Sequence, residues 1–274
     1  MTAGRYSTSL LIHHHQAKSP QNNKSHPRLS PHSNNSNNNH NTNSAIMSSL
    51  SHLKPIKVWG KGGPNPPKVA MIVAELGIPH EIVDIQFSEL KKPDFIAINP
   101  NGRMPAIQDP NTNLTLWESG AILEYLTEKY DTDRKLSFEP GSPEAYLAKQ
   151  WLYFQVSGQG PYYGQAVWFT KYHPEKVQTA VDRYVKEIIR VTTVLEGELA
   201  RQREAHGAEE GFDGPWLVGN KMSYVDFAFY PWQSGVQKFL GPDNNEYRLD
   251  DFPNVKAWLE KLGARESVKN AMHF

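Results

Sequence analysis

The 274-residue chain contains no cysteine. Disulfide bonds, a cysteine nucleophile, cysteine-ligated zinc and iron–sulfur clusters are therefore excluded. A reducing compartment, the cytoplasm, fits this composition and is the predicted location. Any reaction at sulfur would need a thiol that arrives with a ligand.

The chain also lacks an excess of one charge and a long apolar run. Its 29 basic residues balance its 29 acidic residues, which predicts no nucleic-acid partner. No apolar stretch approaches the roughly 18 residues that are needed to cross a bilayer, so no membrane partner is predicted.

Residues 1–53 differ in composition from the rest of the chain. They are rich in Asn and Ser, and no acidic residue precedes Glu75. Such a segment buries too little apolar surface to offset its ordering entropy, which predicts a disordered leader. Two alternatives stay open: the acid-free start around Arg5 is weakly similar to a mitochondrial transit peptide, and translation from Met47 would remove most of the leader.

The pattern changes to that of a folded α/β domain over residues 54–131. Two helices are predicted, one in "NPPKVAMIVAELG", with prolines in its first turn and Gly77 at its end, and one from Ser119 to Tyr130. The strands are predicted in "PIKVWG", "PHEIVDIQF", "MPAIQD" and "LTLWE". This order describes a small mixed sheet with helices on its faces.

Strand signals end before residues 142–274, where the apolar residues recur at helical spacing. The second domain is therefore predicted to be an all-helical bundle. Within it, "SYVDF" predicts a capping box, in which Ser223 begins a helix and Asp226 lies three residues further on.

Four landmarks in this order carry a resemblance to a known family: "NPNGRMPAI", "WESGAI", "SYVDFAF" and the helical second half with "GQAVWFTKYHPEK". The chain resembles the cytosolic glutathione S-transferase superfamily, and in "PN" followed by "KVA" its fungal class related to the yeast nitrogen-catabolite regulator. The resemblance implies a thioredoxin-like domain followed by an all-α domain. It also implies glutathione as co-substrate, no metal, and a homodimer.

The resemblance places a glutathione site on the first domain. Pro105 is expected to have a cis bond, which would free the backbone of Met104 to pair with an extended peptide. If Ser119 begins its helix, the free N–H groups there would bind a carboxylate, and the neighbouring Glu118 would accept hydrogen bonds from an ammonium. A γ-glutamyl group carries both charges on one carbon. The alternative is that Ser119 merely caps the helix.

Other basic residues are expected at the opposite end of the tripeptide. Arg103 and Lys91 are predicted to approach the glycine carboxylate, with Lys92 as the alternative lysine. The alternative interpretation of the lysine pair is a solvated surface.

The first strand is followed by "WGKGGPNPPKV", which has neither the Tyr nor the Ser that many glutathione transferases place there. Asn65 matches the position where the fungal class has Asn, so its amide is the predicted donor to the thiolate. The alternative is that Asn65 is only a helix N-cap.

Tyr162, Tyr163 and Trp168 are candidates for the wall of an apolar electrophile pocket. The resulting prediction is an enzyme that activates glutathione as a thiolate for conjugation to a small apolar electrophile, in detoxification or in tailoring of secondary metabolites. Three alternatives are a glutathione-dependent disulfide or peroxide reductase, a non-catalytic glutathione-binding regulator and a structural module.

Overall fold

The computed structural model describes residues 52–241, 244 and 246–273. The predicted leader lies outside the described residues, apart from its last two positions. The alternative start at Met47 and the transit-peptide interpretation also fall outside them. No helix in the described part of the chain is both long and apolar enough to span a membrane.

The first part of the structure is a four-stranded sheet in the order β2-β1-β3-β4. The strands are β1 (Ile56–Trp59), β2 (His80–Val83), β3 (Ala106–Asp109) and β4 (Leu114–Trp117). β1 pairs in parallel with β2, and antiparallel pairing joins β1 to β3 and β3 to β4. This mixed sheet confirms the predicted thioredoxin-like arrangement.

Three helices accompany the sheet: α1 (Pro66–Glu75), α2 (Pro93–Ile96) and α3 (Ser119–Tyr130). Both prolines of α1 stand in its first turn, where they need no backbone donor, and Gly77 follows its end with a φ of 67°. The residues from Pro66 to Val73 are all buried, because α1 lies between the sheet and the second part of the structure.

The second part is helical throughout, as predicted. Its α-helices are α4 (Pro143–Phe154), α5 (Gly160–Val167), α6 (Gln178–His206), α7 (Tyr224–Ser234), α8 (Val236–Leu240), α9 (Pro253–Gly263) and α10 (Glu266–Met272). π-helical turns follow α4 at Gln155–Gln159 and α5 at Trp168–Tyr172. The predicted capping box is present at the start of α7, where Asp226 Oδ2 accepts the backbone N–H of Ser223 at 2.8 Å.

The end of α1 is tied to α10 by charged groups. Glu75 accepts two hydrogen bonds from Arg265, at 2.8 and 2.9 Å, and another from Ser267 at 2.5 Å. Burial alone would raise the pKa of Glu75, but these bonds and the charges of Arg265 and Lys135 outweigh it and lower the pKa to about 2. The carboxylate therefore joins the two parts of the chain.

We expect Glu75→Gln to lower the free energy of unfolding by about 1–2 kcal/mol near neutral pH, since a charge-assisted pair becomes a neutral one. The pKa is depressed in the folded state, so this stabilisation is present above the unfolded value of 4.5 and is lost as the pH falls towards about 2. Urea unfolding of both proteins at several pH values measures this difference in the free energy of unfolding. Glu128→Gln, on an exposed side chain, is the matched control, and an equal effect of both would contradict the prediction.

Candidate functional site

A cleft of about 800 Å³ lies where the sheet and the helical part meet. Its wall includes residues from the segments around β1, β3 and α3 on one side, and from the π-helical turn that follows α4, from α5 and from α7 on the other. Of the predicted site residues, it contains Asn65, Arg103, Met104, Pro105, Glu118, Ser119 and Trp168.

The Met104–Pro105 peptide bond is cis, as predicted. Among the described residues, no hydrogen bond engages the backbone N–H or C=O of Met104. Gly60, with a φ of 115°, leaves room for the Met104 side chain. A Cβ atom at residue 60 would lie only 2.6 Å from Met104 Cβ. The backbone of Met104 is thus available at the cleft wall.

The start of α3 also faces the cleft, with Ser119 as its first residue and Glu118 before it at a φ of 74°. The first intrahelical bond runs from Ile122 N to Glu118 O, and no side chain in the described part of the protein caps this end. The N–H groups of the first turn are therefore open to an anion. The alternative of Ser119 as a helix cap is not what the structure shows.

Lys68, on α1, is a cleft residue that the sequence reasoning did not single out. Its side chain is buried, with 2% of its surface exposed, and its ammonium donates to Gln155 Oε1 at 2.7 Å and Ser119 Oγ at 3.4 Å. Burial lowers the pKa of Lys68 to about 7, against the opposing effect of the negative charge of Glu118. The available signal was a single Lys within the apolar run "PPKVAMIV".

Asn65 precedes α1 but makes no side-chain capping bond. Its side chain is instead hydrogen-bonded to the indole Nε1 of Trp232, at 3.0 Å. Because an indole N–H can only donate, the acceptor in this hydrogen bond is the amide oxygen of Asn65. The amide NH₂ of Asn65 is therefore left for an acceptor in the cleft, and this orientation agrees with the predicted role.

The loop before β3 carries Arg103, whose exposed side chain lines the cleft. Buried Asn99, which the sequence reasoning also missed, shapes this loop: its side chain donates to Arg103 O and accepts from Asn101 N. Lys91 lies on the outside, where its ammonium donates to Asn101 O at 2.9 Å, and Lys92 pairs with Glu89. Lys91 itself is not among the residues that line the cleft, although Asn101 is, and its contact with the glycine carboxylate stays a prediction.

The three aromatic candidates have separate surroundings. Trp168 lines the cleft and is 48% exposed. Tyr163 has no exposed surface and donates to Gln233 Oε1 at 2.8 Å within the helical core, so it presents nothing to an electrophile. Tyr162 packs against Tyr184 and lies outside the cleft wall. The pocket-wall prediction thus fits Trp168 and has no support at Tyr162 or Tyr163.

Among the described residues, no group of three or more His, Asp or Glu side chains is arranged to hold a metal ion. The donors that converge on the cleft are N–H and ammonium groups instead, from Lys68, Asn65, Arg103 and the start of α3. This set suits an anionic organic ligand.

Comparison with known proteins agrees with this architecture. Residues 54–128 match the glutathione S-transferase N-terminal domain, and residues 161–266 match the glutathione S-transferase C-terminal domain. The chain is 57% identical over 223 residues to the glutathione S-transferase-like protein tpcF of Aspergillus fumigatus, covering 81% of this chain and 97% of the relative.

Two further relatives belong to the predicted fungal class. The transcriptional regulator URE2 of Saccharomyces cerevisiae is 35% identical over 77% of this chain and 66% of its own length. The glutathione transferase URE2P6 of Phanerochaete chrysosporium, solved in complex with oxidized glutathione, is 43% identical with a TM-score of 0.72 and covers 82% of this chain and 97% of its own. The chain is therefore a member of the glutathione S-transferase superfamily, and within it resembles the Ure2 proteins.

Proposed function

We propose that the protein is a glutathione transferase that activates glutathione as a thiolate and conjugates it to an apolar electrophile. The observation that carries this proposal is the orientation of Asn65. Its amide oxygen accepts a hydrogen bond from Trp232 at 3.0 Å, so at this cleft-lining residue the NH₂ group remains to donate to a ligand.

The proposed pose follows from the donors in the cleft. The γ-glutamyl group lies at the start of α3, with its carboxylate on the N–H groups at Ser119 and its ammonium near Glu118. The peptide backbone pairs with Met104, and the glycine carboxylate lies near Arg103. Each of these residues borders the cleft. The sulfur then lies by Asn65, at the junction with the helical wall.

The proposed reaction is nucleophilic attack by the thiolate. The thiol gives up its proton to water, the sulfur forms a bond to the electrophilic carbon, and the leaving group departs with the electron pair of the bond that breaks. Holding both reactants in one cleft supplies effective concentration, and the Asn65 donor favours the charged form of sulfur. Trp168 offers an apolar surface for the electrophile.

A second candidate is glutathione-dependent disulfide reduction. It is favoured by the neighbour solved with oxidized glutathione. Two glutathione molecules would supply both thiols, becoming the oxidised dimer while the substrate disulfide becomes two thiols, so the absence of cysteine is no obstacle. A non-catalytic regulatory role is the third candidate, because a transcriptional regulator is among the relatives.

One set of measurements separates these candidates. We expect the full chain to be retained on immobilised glutathione and to conjugate a generic aryl halide faster than it reduces a small aryl disulfide. Faster disulfide reduction would favour the second candidate, and retention without either turnover would favour the regulator. Failure to bind glutathione would overturn the proposal. Ser119→Ala should weaken retention, whereas Ser157→Ala, on an exposed side chain, is the matched control.

A homodimer and a cytoplasmic location are part of the same proposal. The homodimer follows from the resemblance alone, and the cytoplasmic location is proposed because the cysteine-free composition fits a reducing compartment. Sedimentation of the purified chain measures the first, and fractionation of native cells measures the second.

A further inference from the structure

A buried lysine without a nearby carboxylate partner is unusual, because burial of an ammonium is costly unless it is paired. Lys68 is 2% exposed, and its described hydrogen-bond partners are neutral oxygens of Gln155 and Ser119. No described carboxylate oxygen lies within 4.0 Å of its ammonium, and Glu118 influences it only through space. An apolar residue would fill this position of α1 at lower cost, so the charge calls for a functional reason.

The direction of the hydrogen bond to Ser119 is fixed by chemistry. A lysine ammonium only donates, so Ser119 Oγ accepts at 3.4 Å and keeps its own proton for another partner. That hydroxyl stands at the start of α3, beside N–H groups that no described side chain caps. Hydroxyl, helix start and ammonium together form a donor cluster that suits a carboxylate.

The ammonium is held in place from the helical part of the chain. Gln155 Oε1 accepts from Lys68 at 2.7 Å, and its Nε2 donates to Gln159 at 3.1 Å. Gln159 in turn donates to Gln233, which donates to Thr192 at 2.9 Å. These side chains are at most 1% exposed. The chain of amides fixes the orientation of Gln155, because each oxygen in it accepts and each NH₂ donates.

We propose that Lys68 is a positioning residue for the carboxylate of a γ-glutamyl ligand. Its ammonium orients the Ser119 hydroxyl towards the cleft. It also adds a positive charge close to the open N–H groups at the start of α3. This inference rests on glutathione occupying the cleft, as proposed above, and it specifies which charge of the tripeptide Lys68 recognises.

The test uses three S-methylated peptides, whose sulfur cannot ionise. They are S-methylglutathione, its glutaryl analogue, which lacks the α-amino group, and its 4-aminobutanoyl analogue, which lacks the α-carboxylate. We expect Lys68→Met in the full chain to weaken binding of the first two by about 10- to 100-fold, the range for a lost charge-assisted interaction. Binding of the 4-aminobutanoyl analogue should change by less than about threefold.

Two further variants separate recognition from folding. Lys68→Gln keeps a hydrogen-bond donor without the charge, and it should lose the same discrimination between the peptides. Gln202→Met removes a buried amide of α6 that belongs neither to this chain of amides nor to the cleft wall, and it should keep that discrimination even if it lowers the thermal stability. Equal losses for all three peptides in the Lys68 variants, or no loss, would overturn the inference. Failure of the wild type to bind S-methylglutathione would instead overturn the proposed function.

The unaltered protein provides a test that needs no variant. Lys68 has a pKa of about 7 before a ligand binds, so above that pH a bound carboxylate must draw in a proton. The groups that face this ammonium are Glu118, from the end of β4, and the neutral side chains of Ser119 and Gln155. Affinity for the glutaryl analogue should therefore fall as the pH rises from about 6 to about 8.5, by up to about tenfold per unit above 7. A constant affinity would contradict the inference.

Discussion

Replacing Asp226 by Ala is expected to lower the free energy of unfolding by about 3–5 kcal/mol. The carboxylate accepts hydrogen bonds from Ser223 N at 2.8 Å, Leu217 N at 3.0 Å and Trp258 Nε1 at 3.0 Å. Asp226 is completely buried. Alanine would leave three donors without water or a partner, and each unsatisfied donor costs about 1–3 kcal/mol.

Two variants locate the source of this loss. Ser223→Ala removes a hydroxyl but no backbone donor, so it should cost only about 1 kcal/mol, as for an ordinary helix cap. Asp226→Asn keeps an acceptor for Leu217 and Trp258 but turns a donor towards Ser223 N, and its cost should be intermediate. Urea unfolding of the full chain measures all three. A loss for Asp226→Ala no larger than that for Ser223→Ala would show that the buried donors find other partners.

The substitution Asp226→Ala should also affect the cleft, because α7 also carries the consecutive residues Trp232 and Gln233. Trp232 holds the amide oxygen of Asn65, and Gln233 ends the chain of amides that orients Gln155. A shift of α7 would therefore loosen both ends of the site. Stability and glutathione affinity should fall together in Asp226→Ala.

Local sequence signals were sufficient for much of this arrangement. The prolines at the start of α1 and the spacing of Ser223 and Asp226 each act within a few residues. Such rules depend on backbone hydrogen bonds that the segment makes itself, so they can be read from one sequence. The cis peptide bond before Pro105 was predicted from the family motif around it.

The contacts that complete the site are long-range. Asn65 and Trp232 are 167 residues apart, and Lys68 and Gln155 are 87 apart. Tyr163 shows a second limit, since the π-helical turn at Gln155–Gln159 adds a residue and rotates the following helix. Beyond this turn, Tyr163 lies in the core and Trp168 lies at the cleft. Periodicity in the sequence does not reveal where such a turn occurs.

The second large effect is expected at Asn65. In α1, Pro66 and Pro67 have no N–H, and the N–H of Lys68 already donates to Asn65 O at 3.2 Å. The Asn65 side chain is therefore the main donor that this helix end can offer to sulfur. Lowering a thiol pKa from about 8.5 by two units requires about 2.7 kcal/mol. One hydrogen bond to a charged group supplies about 1.5–3 kcal/mol, and the helix dipole adds about 0.3–1 kcal/mol.

Asn65→Ala should accordingly lower kcat/KM for an aryl halide by about 10- to 100-fold near neutral pH. The rise of kcat/KM with pH should shift to higher pH, because the thiolate loses its donor, and the deficit should shrink once the thiol ionises unaided. Asn65→Asp is the sharper variant, since it keeps the size and the acceptor for Trp232 but removes the NH₂ group and adds a negative charge. Its pH profile should shift further than that of the alanine variant. If the aspartate variant kept the wild-type pH profile, the sulfur would not accept a hydrogen bond from this amide.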